Sequence, residues 1–113
     1  MDCIFCKIAS GEIKGDIVYH DDRITAFRDI NPQAPTHILI IPNEHVPSVA
    51  EMRPEQAPIV GELALTASML AERDGIDKSG FRLVLNSGPD GGQTVDHLHV
   101  HLLGGRPMKW PPG

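Results

Sequence analysis

His97-Leu98-His99-Val100-His101 carries an imidazole at every second position and runs on into Leu102-Leu103. Such alternation with aliphatic residues predicts a β-strand, in which successive side chains point to opposite faces. All three rings then line one face, while Leu98, Val100 and Leu102 pack into a core behind them. A lone strand histidine is ordinarily structural or solvated, but folding alone asks for no row of three. Neutral imidazoles near pH 7 are metal ligands, nucleophiles and general acids or bases. On an extended strand rising about 3.3 Å per residue, His97 and His101 stand about 13 Å apart. Zinc–nitrogen bonds are only about 2.0–2.1 Å long. Rings two residues apart can share an ion, but all three cannot unless the strand bends sharply. At least one is left for other work, and a phosphate group is a suitable target.

Other chemistry-bearing residues surround this row. The segment Asn86-Ser87-Gly88-Pro89-Asp90-Gly91-Gly92-Gln93-Thr94 ends shortly before it. Consecutive glycines let backbone N–H groups form an anion-binding concavity, and Asn86 and Thr94 add side-chain donors. Read alone, the segment is also an ordinary glycine-rich turn. Cys3 and Cys6 form a Cys-x-x-Cys pair with no βαβ pattern around it, which argues against a thioredoxin-like role. That leaves packing thiols or half of a metal site. His37 opens an aliphatic run, and Asp29 precedes Ile30 and a proline-punctuated loop. A carboxylate of this kind can accept from both ribose hydroxyls, although solvated turn aspartates are common. His20 reads as a surface residue.

The pattern His-φ-His-φ-His-φ-φ, with φ apolar, resembles the signature of the histidine triad (HIT) superfamily of nucleotide hydrolases and transferases. Asp29-Ile30-Asn31-Pro32-Gln33-Ala34-Pro35-Thr36-His37, the Gly91-Gly92-Gln93-Thr94 loop and the tail Leu103-Gly104-Gly105-Arg106…Trp110-Pro111-Pro112-Gly113 are similar to the Hint branch, the histidine triad nucleotide-binding proteins. The resemblance covers nearly the whole chain. It implies a hydrolase that cleaves the P–N bond of purine nucleoside 5′-phosphoramidates or related adenylates at the α-phosphate and releases a nucleoside monophosphate. By this match His99 is the nucleophile that forms a covalent nucleotidyl-histidine. His101 binds phosphate oxygens and assists proton delivery to the leaving group, and His37 takes an orienting role. Asn86, Gly92, Gln93 and Thr94 surround the phosphate, with Thr94 where the family usually has serine. Asp29 grips the ribose, while Ile4, Phe5, Ile13, Phe27 and Ile30 line the purine pocket. The resemblance also implies a structural zinc held by Cys3, Cys6, His45 and His97, with no metal needed for catalysis. Asp96 departs from the branch, where an aromatic residue commonly precedes the first histidine. Two alternatives stand beside this: a dinucleoside polyphosphate hydrolase of the Fhit type, and a zinc-containing interaction module with a vestigial nucleotide site. Gly104-Gly105 and Trp-Pro-Pro-Gly favour Hint over the first, and intact Asn86, His99 and His101 oppose the second.

The elements that must position these groups can be read from periodicity. Residues 4–9 form a short helical turn ended by Gly11. Residues 17–20 and 24–28 are strands around a turn at Asp21-Asp22-Arg23. His37–Ile41, aliphatic almost throughout, is a central strand buried on both faces. Residues 55–73 form a helix through the spacing of Ile59, Leu63, Ala67 and Leu70, with Gly75 just past its end and Pro54 and Pro58 tolerated only near its first turn. Residues 81–86 are a further strand. Strands linked through turns, with one long and one short helix, predict an α+β antiparallel sheet. At 113 residues, 41% hydrophobic and 22% charged, the chain reads as a single domain, 1–113. Its net charge of −5 argues against a sequence-independent hold on nucleic acid. No apolar run approaches a membrane span. Met1-Asp2-Cys3 lacks the build of a signal peptide, so a cytoplasmic location is expected. A small core favours dimerisation, and the family resemblance implies a homodimer that extends the sheet across the pair.

Overall fold

The computed structural model describes residues 3–113. Met1 and Asp2 lie outside the described residues, and with them part of the leader-segment expectation. Five strands form one antiparallel sheet: β1 (Ile17–His20), β2 (Ile24–Arg28), β3 (Thr36–Pro42), β4 (Phe81–Val84) and β5 (Val100–Gly104), in the order β1-β2-β3-β5-β4. Helix α1 (Ile4–Ser10) precedes the sheet, and α2 (Ala57–Arg73) joins its two halves. This is the expected α+β antiparallel architecture. Among the described residues no helix is long and apolar enough to cross a membrane.

The aliphatic run of β3 explains its central place, since every residue from Thr36 to Pro42 is buried. Its side chains alternate between two clusters. Ile38 and Ile40 join Ile24, Ala26, Leu98, Val100 and Leu102 against Leu63, Ala67 and Leu70 of α2. Leu39 and Ile41 pack on the other face with Cys3, Phe5, Ile8 and Phe27. Leu98, Val100 and Leu102 therefore sit behind the histidines as expected. Fully burying one such side chain stabilises by about 1.5–3 kcal/mol.

Helix α1 begins at Cys3, whose Sγ accepts from the Cys6 N–H, and ends where Gly11 takes a left-handed φ of 82°. The expected start of the long helix at residue 55 is corrected by two residues. Pro54–Gln56 forms a separate 3₁₀ turn in which Arg53 N–H donates to Gln56 Oε1, and α2 begins at Ala57 with Pro58 in its first turn. The strand expected over 81–86 stops at Val84.

The more consequential correction concerns the triad itself. The ladder to β3 runs from Ile40↔Val100 to Thr36↔Gly104, so of the three histidines only His101 lies within β5. Leu98 N–H pairs instead with Val46 O at 2.6 Å, and His97 turns to the carbonyl of Pro42. The chain is thus drawn off the β3 register before it reaches His99, which aims the first ring at a different neighbourhood from the other two.

Candidate active site and metal centre

Three histidines have their ring protons assigned here by fixed hydrogen bonds. His99 Nδ1 lies 2.7 Å from the carbonyl oxygen of His97. A carbonyl only accepts, so the proton is on Nδ1 and the Nε2 lone pair is left basic. Gln33 N–H donates to His37 Nδ1 at 3.0 Å, which places the His37 proton on Nε2. That Nε2–H faces His101 Nδ1 at 3.0 Å, so in the neutral ring the remaining proton of His101 is on Nε2. Asp29 Oδ2 stands 3.5 Å from His37 Nε2. The result is one basic nitrogen on His99 and one N–H donor on His101, on rings whose centroids are 5.0 Å apart.

Burial favours the neutral form of His101 and His37. His101 is pushed down to about 4, first by desolvation and then by the neighbouring His99 and His37. His37 is lowered by desolvation, partly offset by Asp29. His99 is itself buried, with Phe5 edge-on to it at 5.1 Å and Phe27 edge-on to Phe5 at 5.3 Å. Ile4, Ile13 and Ile30 are exposed, Ile30 completely.

The 86–94 loop is built by its own backbone. A Cβ on Gly91 would lie 2.6 Å from Ser87 O, and Gly92 has a φ of 85° near the Asn86 amide. Both positions need glycine. The Gln93 side chain is engaged within the protein: its Oε1 accepts from Gly88 N–H, and its Nε2 donates to Pro47 O at 2.7 Å and Val95 O at 3.0 Å. Val95 packs against the Phe5–Phe27 cluster, and Thr94 is exposed. His20 bonds Thr25 Oγ1 at the strand edge, away from these groups.

Cys3, Cys6, His45 and His97 converge, with all four ligand atoms within 4.8 Å of one another. His97 Nδ1 lies 3.3 Å from Cys3 Sγ, 3.5 Å from Cys6 Sγ and 3.2 Å from His45 Nδ1, while Cys6 Sγ to His45 Nδ1 is 3.3 Å. Zinc bond lengths in a tetrahedron give edges of about 3.6 Å between sulfur and nitrogen and about 3.3 Å between two nitrogens. Pro42 O, 2.8 Å from His97 Nε2, accepts a hydrogen bond from that ring's N–H, which leaves a single lone pair on Nδ1 for three neighbours. One ion satisfies that arrangement better than three hydrogen bonds. The backbone acceptor also fixes the ligating tautomer. The residues fit a tetrahedral Cys2His2 centre. Burial and the adjacent Cys3 raise the Cys6 thiol to about 11, so metal must displace its proton.

Pattern-reading did not find the tie beneath Asp29 and His37. Arg28 Nη1 and Nη2 donate to both Asp74 oxygens at 2.9 and 3.0 Å, and Thr36 Oγ1 donates to Asp74 Oδ2 at 2.9 Å. This fastens the ends of β2 and β3 to the end of α2. The Gln33 N–H and Pro42 O contacts were equally invisible, because backbone groups leave no residue-type signal.

An antiparallel sheet presenting paired imidazoles beside a Cys2His2 cluster defines a class, and comparison places the chain within it. The HIT domain model matches residues 10–108, and the chain belongs to this family. It is 52% identical over 107 residues to the purine nucleoside phosphoramidase of Escherichia coli K12, covering 95% of this chain and 90% of that one. It is 49% identical over 114 residues to the 14 kDa zinc-binding protein of Brassica juncea, covering 99% and 100%. Its structure is similar to that of a HIT family hydrolase from Legionella pneumophila, with a TM-score of 0.97, 48% identity and coverage of 99% and 100%.

Proposed function

We propose that this protein is a hydrolase of purine nucleoside 5′-phosphoramidates and related adenylates. The carrying observation is the 2.7 Å contact between His99 Nδ1 and the His97 carbonyl, which leaves Nε2 as a fixed nucleophile. In the first step His99 Nε2 attacks the α-phosphorus, the P–N bond breaks, and the amine leaves as it takes up a proton from solvent beside His101. The nucleotide is then covalently held on His99. Water attacks that phosphorus in the second step, the bond from phosphorus to His99 Nε2 breaks, and the water's proton returns to solvent, which yields a nucleoside monophosphate and restores neutral His99. His101 Nε2–H, held in its tautomer by His37, donates to a phosphate oxygen. Loop N–H groups around Gly92, with Asn86 and Thr94, stabilise charge on the oxygens, while Gln93 shapes that loop. Asp29 takes the ribose hydroxyls. Phe5 and Phe27 form a fixed base for the purine, against which the exposed Ile4, Ile13 and Ile30 close. The name of the E. coli relative supports the choice of phosphoramidate over dinucleoside polyphosphate. Turnover of a fluorogenic adenosine phosphoramidate, with and without chelator, tests the reading. Expected is release of AMP and amine that persists in chelator, with the nucleotidyl adduct mapped to His99 after quenching. An adduct on another residue would sink it.

The tetrahedral edge lengths at Cys3, Cys6, His45 and His97 carry a second assignment, a structural zinc. The name of the Brassica relative supports it. A closed four-ligand shell leaves no position for reactive water. Bound there, zinc would clamp the start of α1 to the residue whose carbonyl orients His99. Metal analysis of gently purified protein should give one zinc per chain. None, with both thiols freely titratable in the folded state, would leave Cys3 and Cys6 as packing residues.

A further inference from the structure

The Cys2His2 cluster is sealed unevenly. Cys3 is 6% exposed and His97 not at all, whereas Cys6 and His45 are half-buried. Of the four, His45 also lines a cavity of about 560 Å³ that opens to solvent. One wall of this cavity continues from His45 through Ser48 to Glu51, and the other holds Gly88, Gln93 and Asp96. Two carboxylates face it, and no lysine or arginine does. Asp96 is exposed and directly precedes His97. The two walls are pinned to each other beside the ligand, because Gln93 Nε2 bonds both Pro47 O and Val95 O. The opening is therefore a fixed feature of the fold, spanned by a side chain whose donors are already used.

A divalent ion arriving from water must shed its hydration and meet its first ligand at an accessible edge. A cleft lined by one sign of charge concentrates counter-ions and speeds their capture, an effect that salt screens. We propose that the cavity between Glu51 and Asp96 is the route by which a divalent metal reaches the Cys3–Cys6–His45–His97 centre, with His45 the ligand met first and the two carboxylates drawing the ion in. This rests on the zinc assignment above. It gives Asp96 a task at the position where the family commonly carries an aromatic residue.

Zinc uptake by the chelator-stripped full-length chain can be followed by competition with a chromogenic chelator. Glu51→Gln with Asp96→Asn should slow uptake about threefold to tenfold at low ionic strength. The gap should close at high salt, and saturation should still reach one zinc per chain. Glu72→Gln with Asp77→Asn removes the same charge from exposed sites outside the cavity and should leave the rate unchanged. An unchanged rate in the cavity variant, or equal slowing in both variants, overturns the route while leaving the zinc assignment intact. A wild-type chain that takes up no zinc overturns both.

Discussion

At the scale of single residues, the chemistry depends on where four imidazole protons sit. His99→Gly should abolish turnover with the fold retained, checked by circular dichroism beside the fluorogenic assay, because no neighbouring group offers a fixed basic nitrogen to replace it. His37→Ala should lower kcat by about 100-fold with a smaller change in KM. The reason is that His101 loses the donor that fixes its tautomer. The depressed His101 also makes a stability claim. Above about pH 6.5 the ring is neutral in both folded and unfolded chains, so its full contribution is present. As pH falls from 6.5 toward about 4, the unfolded chain takes up a proton that the folded chain refuses, and stability drops. Below about 4 both forms are protonated and the loss levels off. Melting curves of wild type and His101→Gln over this window should show a shallower decline in the variant. His37 and His97, shifted the same way, keep part of the slope in both.

At the scale of elements, what the sequence made legible divides along a physical line. Strands β1, β2 and β3 and the C-terminal end of α2 followed from residue periodicity, because burial on one or two faces writes itself into side-chain type. The chemical candidates were legible for a related reason: histidine, cysteine and aspartate carry their chemistry in the side chain. The early end of β4, the departure of His97–His99 from the β5 ladder and the engagement of Gln93 were not legible. The last two are decided by backbone groups, chiefly Pro42 O, Val46 O and Pro47 O, whose positions depend on tertiary packing, and β4 ends where its ladder to β5 ends, at Val84↔His101. The Arg28–Asp74–Thr36 tie is of the same kind, since it joins residues up to 46 positions apart. Asp74→Asn should cost about 1–2 kcal/mol in denaturant unfolding, discounted for the exposure of Arg28. It should also weaken substrate binding through displacement of Asp29. Gly91→Ala, whose Cβ would meet Ser87 O, should depress kcat/KM while leaving the melting temperature less affected.

At the scale of the whole molecule, the sheet ends in an open edge. β4 pairs with β5 on one side only, and it is the terminal strand in the sheet order. Leu83 on that strand is 40% exposed, and Leu65 on α2 is 74% exposed. An unpaired strand edge offers a row of backbone donors and acceptors to another chain, and exposed leucines beside it supply area for burial. A two-fold arrangement that sets β4 against its copy would satisfy the edge groups and cover both leucines, in keeping with the isologous symmetry of most dimers. Arg82 Nη2, which donates to Lys109 O, would hold the tail carrying the exposed Trp110 close to such an interface. We therefore expect a homodimer at micromolar concentration in sedimentation equilibrium. Leu65→Lys with Leu83→Lys should shift it to monomer, because two charges per chain would be buried without partners. A monomer in the wild-type chain at that concentration would leave β4 as a solvated edge and require another explanation for the exposed leucines.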